Sequence, residues 1–123
     1  MANLYFAYEL KRRLEKSSAE GGGNGNNPMV TAAHPGWTTS ELQRGFIKFL
    51  NIFFGQSKDM GALPTLRAAI DENASSGDFF RPKDFFELHG APIKVESSKL
   101  SHDVYAAQKL WKLSEELTGI KYL

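Results

Sequence analysis

Cysteine is absent from this chain, so neither a disulfide framework nor a thiolate metal site can form. A dominant charge is missing too: 15 Lys and Arg stand against 14 Asp and Glu, a balance too even to recruit nucleic acid or an acidic membrane by field alone. Long apolar runs are also lacking. The most apolar stretch, 46–54, is interrupted by Lys48 and Asn51 and is far shorter than the ~20 residues of a membrane-spanning helix. The start lacks the basic-then-apolar pattern of a secretion signal, which makes a cytoplasmic setting the default expectation. His34, His89 and His102 are widely separated and have no carboxylate or histidine at ligand spacing, so no metal site is expected. Nor does a nucleophile elbow arrange Ser, His and Asp for hydrolysis.

What is present suffices for a globular unit. The chain has 123 residues, 41% of them hydrophobic, which suits one domain, or part of one, with a buried core. Leu4, Phe6, Ala7, Leu10 and Leu14 recur at helical steps, while Glu9, Lys11, Arg12, Arg13 and Lys16 take the remaining positions. This predicts an amphipathic helix to about Lys16. Ser17 to Pro28 then holds four glycines and three asparagines and reads as a flexible loop. Its Gly21-Gly22-Gly23-Asn24-Gly25 run follows a helix and precedes a strand, the reverse of a phosphate loop.

Met29 to Ala33 reads as a short buried strand of a parallel sheet, although five residues alone do not exclude another state. Ser40 and Gln43 form a capping-box pattern that predicts a helix from near Glu41. Asp59 to Ala74 predicts another, with Met60, Leu63, Leu66, Ala69 and Ile70 inward and Pro64 requiring a later first turn or a kink. Asp78 to Arg81 reads as a second strand ended by Pro82, and 90–100 as irregular. Ser101 is the expected cap of a last helix. Its inner face is Val104, Ala107, Leu110, Trp111, Ser114 and Leu117, and Gly119 is its left-handed end. This order of elements indicates an α/β layer fold, mostly helical, with one or two strands. So few parallel strands leave edges that something must cover.

Four segments carry a family resemblance: Met1-Ala2-Asn3-Leu4-Tyr5-Phe6, His34-Pro35-Gly36-Trp37-Thr38-Thr39-Ser40-Glu41-Leu42, Asp84-Phe85-Phe86-Glu87-Leu88-His89-Gly90-Ala91-Pro92, and Leu110-Trp111-Lys112-Leu113-Ser114-Glu115-Glu116-Leu117-Thr118-Gly119. Together they resemble the C-terminal part of a short-chain dehydrogenase/reductase, in the retinol dehydrogenase and protochlorophyllide reductase-like branch. The likeness runs over nearly the whole chain. It departs at the Gly/Asn insertion, at Met1 in a leucine place and at Ser40 in a threonine place. The implied fold is the C-terminal part of a doubly wound (Rossmann-type) parallel sheet, with 1–123 as a single partial domain.

The resemblance implies a parent that transfers hydride between NADP or NAD and a lipophilic or small carbonyl or alcohol. Its catalytic tyrosine and lysine would fall just ahead of Met1. Tyr5 and Tyr8 are no substitutes, since Glu9 and Arg12 stand where each would need a lysine, and arginine cannot replace a lysine that lowers a phenol pKa. The expectation is therefore no catalytic residue here and no cofactor held by this chain alone. Pro35, Gly36, Thr38 and Ser40 would be the retained cofactor-binding element, with the Thr38 backbone at the carboxamide and the Ser40 hydroxyl near the pyrophosphate. The same stretch also fits an ordinary strand-turn-helix junction. The resemblance implies that Trp37, Phe46, Phe49 and Phe53 line a lipophilic substrate pocket; for this chain, core packing or self-association is the favoured expectation for that aromatic run, because apolar side chains gain roughly 1.5–3 kcal/mol each on burial. Expected partners are further copies of the chain or the N-terminal half of the domain.

Overall fold

The computed structural model describes residues 1–21, 27–36, 57–84 and 89–123. Among them the elements are α1 (Ala2–Gly21), β1 (Ala32–Ala33), α2 (Lys58–Ile70), β2 (Phe79–Asp84), β3 (His89–Val95), a 3-10 turn (Lys99–His102) and α3 (Val104–Thr118). This is an α/β arrangement, predominantly helical, with a mixed three-stranded sheet in the order β1-β2-β3. The chain divides into two units. One comprises Met1–Thr31, Ser75–Gly77 and Ser97–Leu123; the other comprises Ala32–Ala74 and Asp78–Glu96.

In the first unit α1 packs on α3. The predicted leucine stripe of α1 is only half-buried. The most buried residues are Tyr8 and Glu9, the latter 3% exposed. A carboxylate survives there because both oxygens are engaged: Arg12 donates to Oε2 from Nε and Nη2 at 3.0 and 2.7 Å, and Arg13 donates from Nε to Oε1 at 2.9 Å. Losing one arginine would leave one carboxylate oxygen without its partner, and losing both would leave an uncompensated buried charge. The helix runs to Gly21, past the expected end at Lys16, so Ser17 to Gly21 are helix rather than loop. A Lys16–Glu20 pair at 3.7 Å spans this extension, and the Asn27 amide donates to the Leu14 carbonyl at 3.0 Å. Residues 22–26 of the expected loop lie outside the described residues.

Asp103, not Ser101, caps α3, its carboxylate accepting from the Ala106 N–H at 3.0 Å. Ser101 is instead buried inside the preceding turn. Gly119 closes α3 at φ +70, as the sequence pattern predicts. Of the expected inner face, Ala107 and Trp111 are buried, Leu110 and Ser114 half-buried, and Val104 and Leu117 exposed. Gly77 sits at φ +97 with the Lys11 side chain against the space a Cβ would fill, a position that only glycine meets without strain.

In the second unit β1 runs parallel to β2, with Ala32 opposite Phe79 and Ala33 opposite Phe80. The parallel strand is thus in the expected place, but it is two residues long and half-buried. β2 does not stop at Pro82, and 89–95 is a strand rather than irregular chain; β2 and β3 are antiparallel, with Pro82 opposite Pro92. The sheet tolerates this pair for a geometric reason. Phe80 turns its carbonyl toward β1, accepting from the His34 N–H at 2.8 Å. Phe80 opposite Lys94 and Pro82 opposite Pro92 are therefore non-hydrogen-bonded pairs, where a missing N–H breaks no ladder bond.

α2 starts at Ser57, whose hydroxyl accepts from the Met60 N–H at 3.2 Å. The helix continues through Pro64, which removes one donor without ending it. Its buried face is Gly61, Pro64 and Ala68, whereas Leu66 and Ile70 are 52% and 75% exposed. The predicted inner face is thus reversed. The residues buried where α2 packs on the sheet have little side chain, because a thin stripe lets a helix approach a sheet closely; Phe80 of that sheet is 1% exposed. Arg67 lies over the Phe80 ring at 5.6 Å and donates to the Pro92 carbonyl at 2.6 Å, which caps an edge-strand acceptor. No helix among the described residues is long and apolar enough to cross a membrane.

Candidate functional site

The expected ligand-binding turn follows β1. Pro35 is exposed and Gly36 half-buried. Gly36 adopts φ +71, a left-handed conformation that glycine enters at no steric cost. Its N–H donates to Nδ1 of His34 at 3.3 Å, so the imidazole accepts there and carries its proton on Nε2. His34 is therefore tied to the backbone of its own turn. A Cβ-free residue in a left-handed turn at the carboxyl end of a parallel strand is compatible with close approach of a dinucleotide. Thr38, Ser40, Trp37, Phe46, Phe49 and Phe53 lie outside the described residues, as does the helix expected from Glu41.

The fold assembles a second group that no spacing in the sequence announced. The Tyr8 hydroxyl lies 2.7 Å from Ser97 Oγ, which lies 2.5 Å from Ser101 Oγ and 3.0 Å from His102 Nε2. The Tyr8 and His102 rings stack with centroids 4.6 Å apart at 14°. Proton counting orders the group. Ser101 donates its only hydroxyl proton to the Ser98 carbonyl at 2.6 Å. Ser97 must then donate to Ser101, which leaves it an acceptor toward both Tyr8 and His102. His102 thus presents an N–H, not a lone pair, to Ser97. It cannot act as a base toward that hydroxyl, and the chain of bonds ends on a backbone carbonyl. The group ties α1 to the turn before α3 rather than activating a nucleophile.

A third cluster centres on Trp111, which is 3% exposed. Phe6 stacks on it at 4.9 Å and 17°, the Arg13 guanidinium lies 4.6 Å from its ring centroid, and its indole N–H donates to Glu115 Oε1 at 3.0 Å. Arg13 also donates from Nη1 to the Leu123 main-chain oxygen at 2.8 Å. An open groove of about 650 Å³ runs past Glu9, Arg12, Arg13, Lys16 and Gln108. The pairing of Glu9 with Arg12 and Arg13 was visible at its i+3 and i+4 spacing; that Glu9 would face inward was not. In the sheet unit, a hydrogen bond from Arg67 and one from the Asn73 backbone hold the Asp71 carboxyl below its ordinary value of 3.8. No group of three or more His, Asp or Glu among the described residues is arranged to hold a metal ion.

The chain resembles a solved protein. That structure is the crystal structure of an uncharacterized protein from Mycobacterium Paratuberculosis, 30% identical, with a TM-score of 0.68. The match covers 99% of this chain and 37% of that one, so the chain spans a little over a third of the length of the protein it matches. No family model matches the sequence, and no curated protein does.

Proposed function

We propose that this chain is the C-terminal portion of a Rossmann-type, NAD(P)-dependent oxidoreductase domain of the short-chain dehydrogenase/reductase kind, acting on a carbonyl or alcohol, and that alone it transfers no hydride. The observation that carries the reading is the turn itself. A parallel strand ends at Ala33, and His34-Pro35-Gly36 follows with Gly36 left-handed, within the stretch whose sequence resembles that family. Similarity over 99% of this chain to 37% of a longer protein suits a portion of a larger domain.

In this reading the nicotinamide cofactor, when bound, supplies the hydride. Pro35 and Gly36 bring the backbone close to it, Thr38 offers its backbone to the carboxamide, and Ser40 offers its hydroxyl toward the pyrophosphate. Trp37, Phe46, Phe49 and Phe53 form the wall for a lipophilic substrate. The test is titration of the isolated chain with NADPH, followed by cofactor fluorescence, beside a carbonyl reduction assay. No saturable micromolar binding and no turnover are expected. Reduction at a rate proportional to the concentration of the verified chain would sink the reading.

A second reading, self-association without catalysis, draws on the apolar side chains left outside: Leu66 and Ile70 on α2, and Leu117, 79% exposed, on α3. Sedimentation across a hundredfold concentration range separates the two readings. A monomer throughout removes the second.

A further inference from the structure

The two outer edges of the sheet are built differently. Along β3, Ile93 and Val95 turn their backbone groups toward β2, because they lie opposite Arg81 and Phe79 while Phe80 gives its carbonyl to β1. Pro92 and Lys94 therefore turn theirs outward. Little is left there for another strand to pair with: Pro92 has no N–H, its carbonyl accepts from Arg67 Nη1 at 2.6 Å, and Lys94 sets a charge on the edge, its Nζ 2.8 Å from the Asp78 carboxylate. Proline and lysine are the residues that keep a strand edge from pairing.

The edge formed by β1 carries none of these devices. The Val30 carbonyl accepts from the Gly77 N–H at 2.7 Å, the Ala32 N–H donates to the Asp78 carbonyl at 2.9 Å, and the His34 N–H donates to the Phe80 carbonyl at 2.8 Å. Alternate residues are thus spoken for, and the N–H and C=O of Ala33 point out of the opposite edge, where they have no backbone partner among the described residues. Ala32 and Ala33 add no bulk, charge or proline that would turn an incoming strand away. An edge of this kind is a template for pairing.

The comparison supplies the occupant. This chain matches 37% of the mycobacterial protein over 99% of its own length, so most of such a polypeptide lies outside the part that corresponds to residues 1–123. We propose that the Ala33 edge of β1 is the seam at which a strand from that remainder adds to the sheet, and that the sheet grows in this direction alone, because Arg67, Pro92 and Lys94 end it at β3. This rests on the reading of the chain as a portion of a larger domain, and not on any cofactor or reaction.

The test is amide hydrogen exchange on the full chain labelled with nitrogen-15, and on a chimera in which residues 1–123 replace the matched part of the mycobacterial protein. In the chain alone, Ala33 is expected to exchange faster than Ala32 and His34, whose N–H groups are bonded to β2. In the chimera it is expected to slow by about a hundredfold, while Lys94 stays fast in both. If the chimera fails to fold, exchange at the position aligned with Ala33 in the mycobacterial protein, which folds well enough to crystallise, gives the same answer. An Ala33 amide already slow in the chain alone, whether covered from within or by a second copy, would overturn the proposal, and so would one that stays fast in the longer polypeptide. Cofactor binding is read separately by NADPH fluorescence, so a failure of the seam is distinguishable from a failure of the oxidoreductase reading.

Discussion

The unit made from the two ends of the chain and the unit made from its middle reach burial by different means. In the first, large groups interlock through directed contacts: Trp111 against Phe6 and Arg13, Tyr8 against His102, and a carboxylate between two guanidinium groups. In the second, Gly61, Pro64 and Ala68 form a thin stripe facing a sheet whose key side chain is Phe80. A unit of the first kind is sensitive to lost partners and one of the second kind to changed volume. The two units also differ in what they present: charged and aromatic side chains cluster in the first, and the left-handed Gly36 turn lies in the second.

The largest effect should come from Phe80→Ala, which removes the most buried large side chain among the described residues and should lower stability by about 3–5 kcal/mol in urea unfolding. A loss below about 1 kcal/mol would mean that the sheet unit has no packed centre. Glu9→Gln keeps shape but removes the charge between two arginines that are each about one-third exposed. Solvent already stabilises those cations in part, so the expected cost is about 1–3 kcal/mol. A double-mutant cycle with Arg12→Gln should show coupling; strict additivity would contradict the buried pair.

A paired substitution on α2 sharpens the contrast. Ala68→Leu should overfill the stripe and cost about 1–3 kcal/mol, whereas Leu66→Ser should change stability by no more than about 0.5 kcal/mol. The reverse ranking would restore the face that periodicity predicts. Asp71 gives the smallest expected effect. Its carboxyl is held low by Arg67 and the Asn73 backbone, so its contribution is present above the ordinary carboxylate pKa and is lost as pH falls through and below that value. Asp71→Asn should flatten this part of the acid-stability curve, and an unchanged curve would show that the Arg67 contact has no thermodynamic weight.

Much of the local structure was legible because its causes are local. The left-handed end at Gly119, the helical repeat of α1 and α3, and the parallel strand before Pro35-Gly36 each follow from propensity, spacing or turn chemistry over a few residues. β3 was not legible, since Gly90 and Pro92 argue against a strand until Pro82 is known to lie opposite and both fall at non-hydrogen-bonded positions. The inward face of α2 was misread for a related reason. Periodicity follows large apolar residues, while the sheet selected the small ones. The Tyr8, Ser97, Ser101 and His102 group joins residues up to 94 positions apart, so no window along the chain could have shown it.

By itself the sequence determined the α/β class of fold, the existence of α1, α2 and α3 and the lack of cysteine chemistry, all of which depend on residue identity and short-range order. Tertiary structure alone decided which side of each helix is buried, which hydroxyl accepts and which donates, and where Arg13 finds its partners. Those outcomes are set by distances between segments remote along the chain, and a hydrogen bond or a packed face exists only once both sides have arrived.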